Sequence, residues 1–299
     1  MIIDRIQDLM AAPDMASIWT RYAAVAKTHA AQQLEAQISG YYDRPHATTY
    51  CARYGCRRQT AYKAHMIPGK PIQWRGNNTF AFGYAVEILV KAQLAELDID
   101  FKDHKSFPLH WNLDGRAICV SPDCYDVHLD GQVYVVEIKS MASGTFERLE
   151  REGLRSTIPG YYDQVQLEIA ATGSDAGIIV VENKNTAALY EECIQPDELR
   201  LAELDALFLQ VHDAGTPEEI ERAFGLAERT LYHRGKTPPT TINPLREKHD
   251  KNGRLIGHNE VVALCLPWQC RYCGWNARCW APKQLVTTFD KGKPVIEVR

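Results

Sequence analysis

No stretch of this 299-residue chain approaches the roughly 18 uninterrupted apolar residues that a membrane helix requires, so no spanning segment is expected. Positive charge is not in excess either. The 34 Lys and Arg stand against 38 Asp and Glu, a formal charge of -4, which excludes a global pull toward phosphate and makes any nucleic-acid site a local one. The opening MIIDRIQDLMAAPDM lacks the basic-then-apolar order of a secretory signal, and the chain is expected in the cytoplasm. Internal repeats and low-complexity tracts are also missing. With 45% hydrophobic and 24% charged residues, the composition is that of a globular protein able to bury a core.

Cysteine, by contrast, is plentiful. Nine cysteines are many for a compartment where disulfides rarely persist, which favours a metal or cluster over cross-links. Cys119, Cys124 and Cys193 fall in apolar stretches and read as core packing. Cys51 and Cys56 lie early, whereas Cys265, Cys270, Cys273 and Cys279 crowd near the end.

Residues 1 to 39 have helical spacing and stop at Gly40; a second helical stretch covers TTYCARYGCRRQTAYKAH, and a third runs from about Asn78 to Leu97. From about Ile99 to Val181 the pattern changes to short β-rich runs around a helix, as in a mixed sheet with a packed helix. Residues 196 to 230 return to helix with a break at Gly215-Thr216-Pro217, and TPPTTINPLREKHDKNGRLIGHNE reads as an extended loop. Three regions are expected: residues 1–75 helical, 76–195 an α/β core, and 196–299 a helical segment, loop and cysteine cluster that fold with the core.

Asp130-Gly131 between two β-rich runs is a strong hairpin signal. A two-residue loop pairs Leu129 with Gln132, so Asp126, Glu137 and Lys139 share one face of the sheet. Asp123 points the other way unless a bulge shifts the register. Carboxylates and an ammonium on buried β-structure are costly to desolvate, and such a grouping suits a hard divalent ion, Mg2+ or Mn2+, with Lys139 stabilising charge on an attacked phosphate. An exposed strand face with a Glu–Lys pair is the plainer alternative. In FAFGYAVEILV, Gly83 and Glu87 share a helix face, offering a third acidic ligand. In IPGYYDQVQLEIAATG, Pro159 starts a helix on which Gln164 stands apart from the apolar side, placed to hold a phosphate or the attacking water.

Taken in order, G-x3-E, D-x10-E-I-K and YYDQVQ followed by a β-run resemble the RecB-like and lambda-exonuclease-like branches of the PD-(D/E)XK nuclease superfamily over about residues 80 to 183. The resemblance implies a restriction-endonuclease-like α/β core with a mixed sheet flanked by helices. It also implies Glu87, Asp126 and Glu137 as metal ligands and Lys139 and Gln164 completing the catalytic set. Ser121-Pro122-Asp123 is a rival for the family's PD motif, so Asp123 stands as the alternative aspartate.

The tail CLPWQCRYCGWNARCWAP holds C-x4-C-x2-C-x5-C. Spacing alone admits a zinc site at Cys265, Cys270, Cys273 and Cys279, an iron–sulfur cluster, or unliganded thiols. The C-x2-C-x5-C part with a distant N-terminal cysteine resembles the 4Fe-4S staple of AddB-type and CRISPR-adaptation nucleases. That resemblance implies Cys56, Cys270, Cys273 and Cys279 as ligands, with Cys51 in reserve. Arg57, Arg58 and Lys63 beside Tyr54 and Tyr62 offer phosphate charge and stacking rings for DNA, or simply a solvated basic helix. Arg148, Arg151 and Arg155 alternate with Glu147, Glu150 and Glu152, which favours intrahelical ion pairs.

The expectation is therefore a metal-dependent exonuclease acting at DNA ends, 5'-to-3' and single-strand capable by resemblance, in recombination, repair or phage DNA metabolism. A single-strand annealing or recombination protein is the partner such a role brings. The alternatives are a nuclease processing CRISPR spacer precursors and a catalytically silent iron–sulfur subunit that binds DNA ends.

Overall fold

The computed structural model describes residues 2–11, 13–38, 46–51, 56–70, 74–113, 115–224, 232–233, 246–249, 255–259, 264–265, 270, 273–280, 285–290 and 293–298. The chain divides into two compact units, Met1–Met66 with Gln73–Gly215, and Ile67–Ile72 with Thr216–Arg299. This division differs from the expected boundaries at 75 and 195. Among the described residues no helix is long and apolar enough to cross a membrane.

The first unit is built on a four-stranded sheet of β3 (Cys124–Leu129), β4 (Gln132–Met141), β5 (Ala176–Asn183) and β6 (Leu189–Ile194), in that order. Strands β4 and β5 are parallel and the outer pairs antiparallel, which makes the sheet mixed as expected. Helices α1 (Ile2–Ala11) and α4 (Trp74–Glu96) cover one face: Ile2, Ile6, Val86, Val90 and Leu94 pack on Val127, Val136, Ile138 and Val180. Helices α5 (Ser143–Thr157) and α6 (Pro159–Thr172) form the β4-to-β5 crossover and cover the other, where Phe146, Leu149, Val165 and Ile169 meet Val135, Met141, Ile179 and Val181. With helices on both faces, β4 is buried at Val135, Val136, Glu137 and Ile138 in succession. That explains the unbroken apolar character around Glu137.

Further elements among the described residues of the unit are α2 (Met15–Ile38), a 3-10 turn at Ala47–Thr49, α3 (Arg57–Ala64), the hairpin β1 (Phe107–Leu113) and β2 (Arg116–Val120), and α7 (Glu198–His212). Helix α7 belongs here because Phe208 stacks on Trp111 with ring centroids 5.0 Å apart, and Trp111 Nε1 donates to Asp205 Oδ1 at 2.6 Å.

Local signals explain the crossover. Pro159 occupies the first turn of α6, Gly173 ends it at φ 70°, and Gly177 lets it close on β5. A Cβ built at Gly177 falls 2.3 Å from Val165 Cγ1 and 3.2 Å from Ile169 Cδ1. Gly177→Ala should therefore cost about 1–3 kcal/mol in urea unfolding, since the helix must lift to admit one methyl. An unchanged midpoint would show that α6 does not sit this close.

In the second unit, α8 (Pro217–Ala223) starts from a capping box made by Thr216 and Glu219. Strands Leu285–Asp290, Lys293–Val298, Leu264–Cys265 and Tyr232–His233 form a second sheet in that order. The expected loop over 237–260 is corrected in part: Arg246–His249 pairs with Leu255–Asn259 as an antiparallel hairpin. Trp275 Nε1 donates to the Ile67 carbonyl at 2.9 Å and the Lys70 amide to the Gly274 carbonyl at 3.0 Å.

Candidate active site

The hairpin turn forms as expected, with Leu129 opposite Gln132 and with Asp130 and Gly131 at φ 51° and 82°. Two residues later the register changes. Val127 pairs with Tyr134 but Cys124 pairs with Val136, so β3 carries one extra residue, and Asp126 sits there at φ 56°. The bulge reverses the face of everything before it. Asp126 turns to Lys102 Nζ at 2.5 Å and His128 Nε2 at 3.0 Å, and the Lys102 hydrogen bond holds its carboxyl below the usual carboxylate range. Continuing the Cys124–Val136 register by one residue sets Asp123 opposite Glu137, where Asp123 Oδ2 accepts the Ile138 amide proton at 2.7 Å. The expected pairing of Asp126 with Glu137 is thus corrected: the aspartate brought to this site is Asp123.

Glu137 is 1% exposed. Its Oε1 accepts from Gln164 Nε2 at 2.5 Å and is contacted by Lys139 Nζ, while its buried Oε2 has no hydrogen-bond partner. Lys139 Nζ also lies 5.4 Å from the centre of the Tyr161 ring. From α6, Gln164 Nε2 gives a second hydrogen bond to Glu168 Oε1 at 2.9 Å, and Glu168 Oε2 is likewise buried and unpartnered. Burial pushes the Glu168 carboxyl up to about 8, Asp123 adding to the rise and Gln164 and Lys139 opposing it.

Glu87 reaches the same neighbourhood from α4. Its Oε1 lies 2.7 Å from Lys91 Nζ and 3.6 Å from His29 Nδ1, and Lys91 also pairs with Asp103 at 3.3 Å. Burial raises the Glu87 pKa, and the Asp123 carboxylate raises it further. Asp123 therefore acts electrostatically on both groups, Glu87 on one side and Glu168 on the other. The sequence pattern missed Glu168, His29 and Lys91. For Glu168 a signal existed, its i,i+4 spacing from Gln164 on the same helix.

A cavity of about 200 Å³ opens beside Gln164, lined among others by Thr48, Thr49, Gln59, Thr60 and Lys63. Of the residues expected to contact DNA, Arg57 and Lys63 are exposed. Arg58 is 7% and Tyr62 0% exposed, so the stacking role expected of Tyr62 is corrected: a ring enclosed in the core has no open face for a base. Tyr54 lies outside the described residues. Arg148 pairs with Glu152 at 3.5 Å, as intrahelical charge spacing predicts.

Cys56 Sγ caps α3, accepting the Gln59 amide proton at 3.2 Å. In the second unit Cys270, Cys273 and Cys279 are all buried, with the Cys273 amide donating to the Cys270 carbonyl at 3.2 Å. Cys51 is buried, and burial raises its thiol pKa; the Cys265 side chain lies outside the described residues. Among the described residues no three His, Cys, Asp or Glu side chains converge tightly enough to hold a metal ion as they stand.

No protein-family model matches the sequence, and no curated protein matches it. Among solved structures, an alkaline exonuclease (LHK-Exo) from Laribacter hongkongensis overlaps with TM-score 0.43 at 17% identity, covering 60% of this chain and 90% of that one. The crystal structure of SSO0001 overlaps with TM-score 0.40 at 14% identity over 70% of this chain and 84% of that one. A phage-related exonuclease from Haemophilus somnus gives 0.36 at 12%, over 56% and 79%. Overlap at this level leaves the functional argument to the side chains.

Proposed function

We propose that this chain is a divalent-metal-dependent deoxyribonuclease that hydrolyses phosphodiester bonds at DNA ends. The observation that carries the reading is the buried Glu137, its Oε2 left without a partner, with the half-buried Asp123 and Lys139 beside it. A buried carboxylate oxygen with no donor is costly, and a cation is one partner that offsets the cost. Asp123, Glu137 and Glu87 are the residues that would hold magnesium or manganese. When bound, such an ion supplies Lewis acidity and a water made more acidic. Lys139 offers its ammonium to charge developing on the phosphate oxygens. Gln164 takes its place from α6 beside Glu137. The order of these residues along the chain, which resembles that of RecB-like and lambda-exonuclease-like nucleases, supports the same reading, and 5'-to-3' polarity and a role in recombination, repair or phage DNA metabolism are carried over with it.

The proposal includes a 4Fe-4S cluster on Cys56, Cys270, Cys273 and Cys279, with zinc as the alternative. The soft thiolate set supports it, as does the burial of the three C-terminal cysteines. Brown protein absorbing near 400 nm after anaerobic purification is the expected sign.

The test uses end-labelled single- and double-stranded DNA with manganese, then with the metal chelated. Wild type should release labelled product only with metal, and Glu137→Gln and Lys139→Ala should each lose about 10²–10³-fold in rate. An inert wild type that still binds DNA ends leaves the silent end-binding subunit in its place.

A further inference from the structure

We propose that Glu168 is a positioning residue of this site, which locks the Gln164 amide so that its carbonyl oxygen, and not its NH2 group, is presented for binding. The inference rests on the nuclease reading for its consequence, but its geometry stands alone. A glutamine side chain has two N–H donors and one carbonyl acceptor. Both contacts made by Gln164 Nε2 go to carboxyl oxygens, 2.5 Å to Glu137 Oε1 and 2.9 Å to Glu168 Oε1. The Glu137 carboxylate accepts one N–H, and Glu168 accepts the other through Oε1 even when the partnerless Oε2 carries a proton, which sets the end of the amide that faces them. With both donors used, the carbonyl remains, and among the described residues nothing donates to it.

That arrangement decides between two roles for Gln164. A phosphate oxygen only accepts hydrogen bonds and is repelled by a carbonyl, whereas a water donates to one. Gln164, which also lines the cavity of about 200 Å³, is set to hold a water or another donor and not a phosphate. Without Glu168, one N–H loses its partner and the amide is free to turn.

The cost of the arrangement argues that it is more than packing. Glu168 is 1% exposed, its one carboxylate oxygen bonds only Gln164, and the other has no partner. A leucine would fill that helix position without burying a polar group. Glu168→Leu should consequently leave the urea midpoint unchanged or higher, a result opposite to that expected of a residue kept for stability.

The full-length wild type, Glu168→Leu and Glu168→Gln are compared, with Glu168→Met in place of the leucine variant if that one does not fold. Exchange of the Gln164 side-chain NH2 protons is followed by NMR, the signal being identified by its loss in Gln164→Leu. Turnover is measured on end-labelled DNA with manganese. The leucine variant should exchange at least about 10-fold faster and lose about 10–100-fold in kcat with KM nearly unchanged. The glutamine variant keeps an acceptor at 168 and should restore both. Slow exchange in the leucine variant overturns the proposal. So does a glutamine variant as impaired as leucine, since accepting a hydrogen bond at position 168 is then not what matters. If wild type shows no turnover, the nuclease reading fails by itself while the exchange series still decides the role of Glu168.

Discussion

Asp123→Asn is expected to reduce metal-dependent cleavage by about 10²–10³-fold or more, while Asp126→Asn stays within about threefold of wild type. The asymmetry follows from one inserted residue in β3. Asp123 stands opposite Glu137 and its Oδ2 accepts the Ile138 amide proton at 2.7 Å, whereas Asp126 is engaged at the strand edge by Lys102 and His128. Asparagine keeps a carbonyl oxygen for the Ile138 amide, so the variant should fold and unfold in urea as wild type does. What it lacks is the negative charge that acts on both Glu87 and Glu168. Measured rates in the opposite order, with Asp126→Asn inert and Asp123→Asn active, would overturn the assignment and with it the bulge as the feature that builds the site.

The hairpin that carries this site was readable in the sequence because Asp130-Gly131 selects one turn type, and that turn fixes the pairing of the next few residues. The aspartate was not, because alternation assigns faces only while the strand keeps a strict period of two. A bulge has no obligatory residue, and Asp126 tolerates positive φ better than most residues without announcing it. Pro122-Asp123 marked the alternative, but choosing it required knowing where the extra residue lay.

Helix α6 shows the same limit in another form. Pro159 and Gly173 marked its ends and Val165 and Ile169 its apolar side, all by local physics. Glu168 and Gln166 defied the pattern: both are buried, Glu168 bonded to Gln164 one turn earlier and Gln166 to partners distant in sequence, donating to the Gln195 carbonyl at 2.8 Å and accepting from the Asp197 amide at 2.8 Å. Periodicity assigns such residues to the surface because it weighs hydrophobicity alone. Tyr62 errs the other way, since a ring next to arginines looks like a stacking platform until its burial is known.

The partner that reaches α6 from α7 carries the largest expected effect on stability. Arg200 binds the fully buried Asp163 through both arms of its guanidinium, Nε to Oδ1 at 2.6 Å and Nη2 to Oδ2 at 2.8 Å. Hydrogen bonding to Asp163 raises the Arg200 pKa despite partial burial. Removing one member of such a pair strands the other charge away from water, which typically costs about 3–5 kcal/mol. Arg200→Leu should show that loss in urea unfolding. Replacing both members with Asp163→Leu and Arg200→Leu should recover a good part of it, because no buried charge is then left unpaired. Since Asp163 directly precedes Gln164, the single variant should also loosen the helix turn that presents the amide, lowering turnover more than DNA binding. A single variant within 1 kcal/mol of wild type, on the scale of an exposed ion pair, would show that Asp163 is not stranded by the loss of Arg200 and would overturn this assignment.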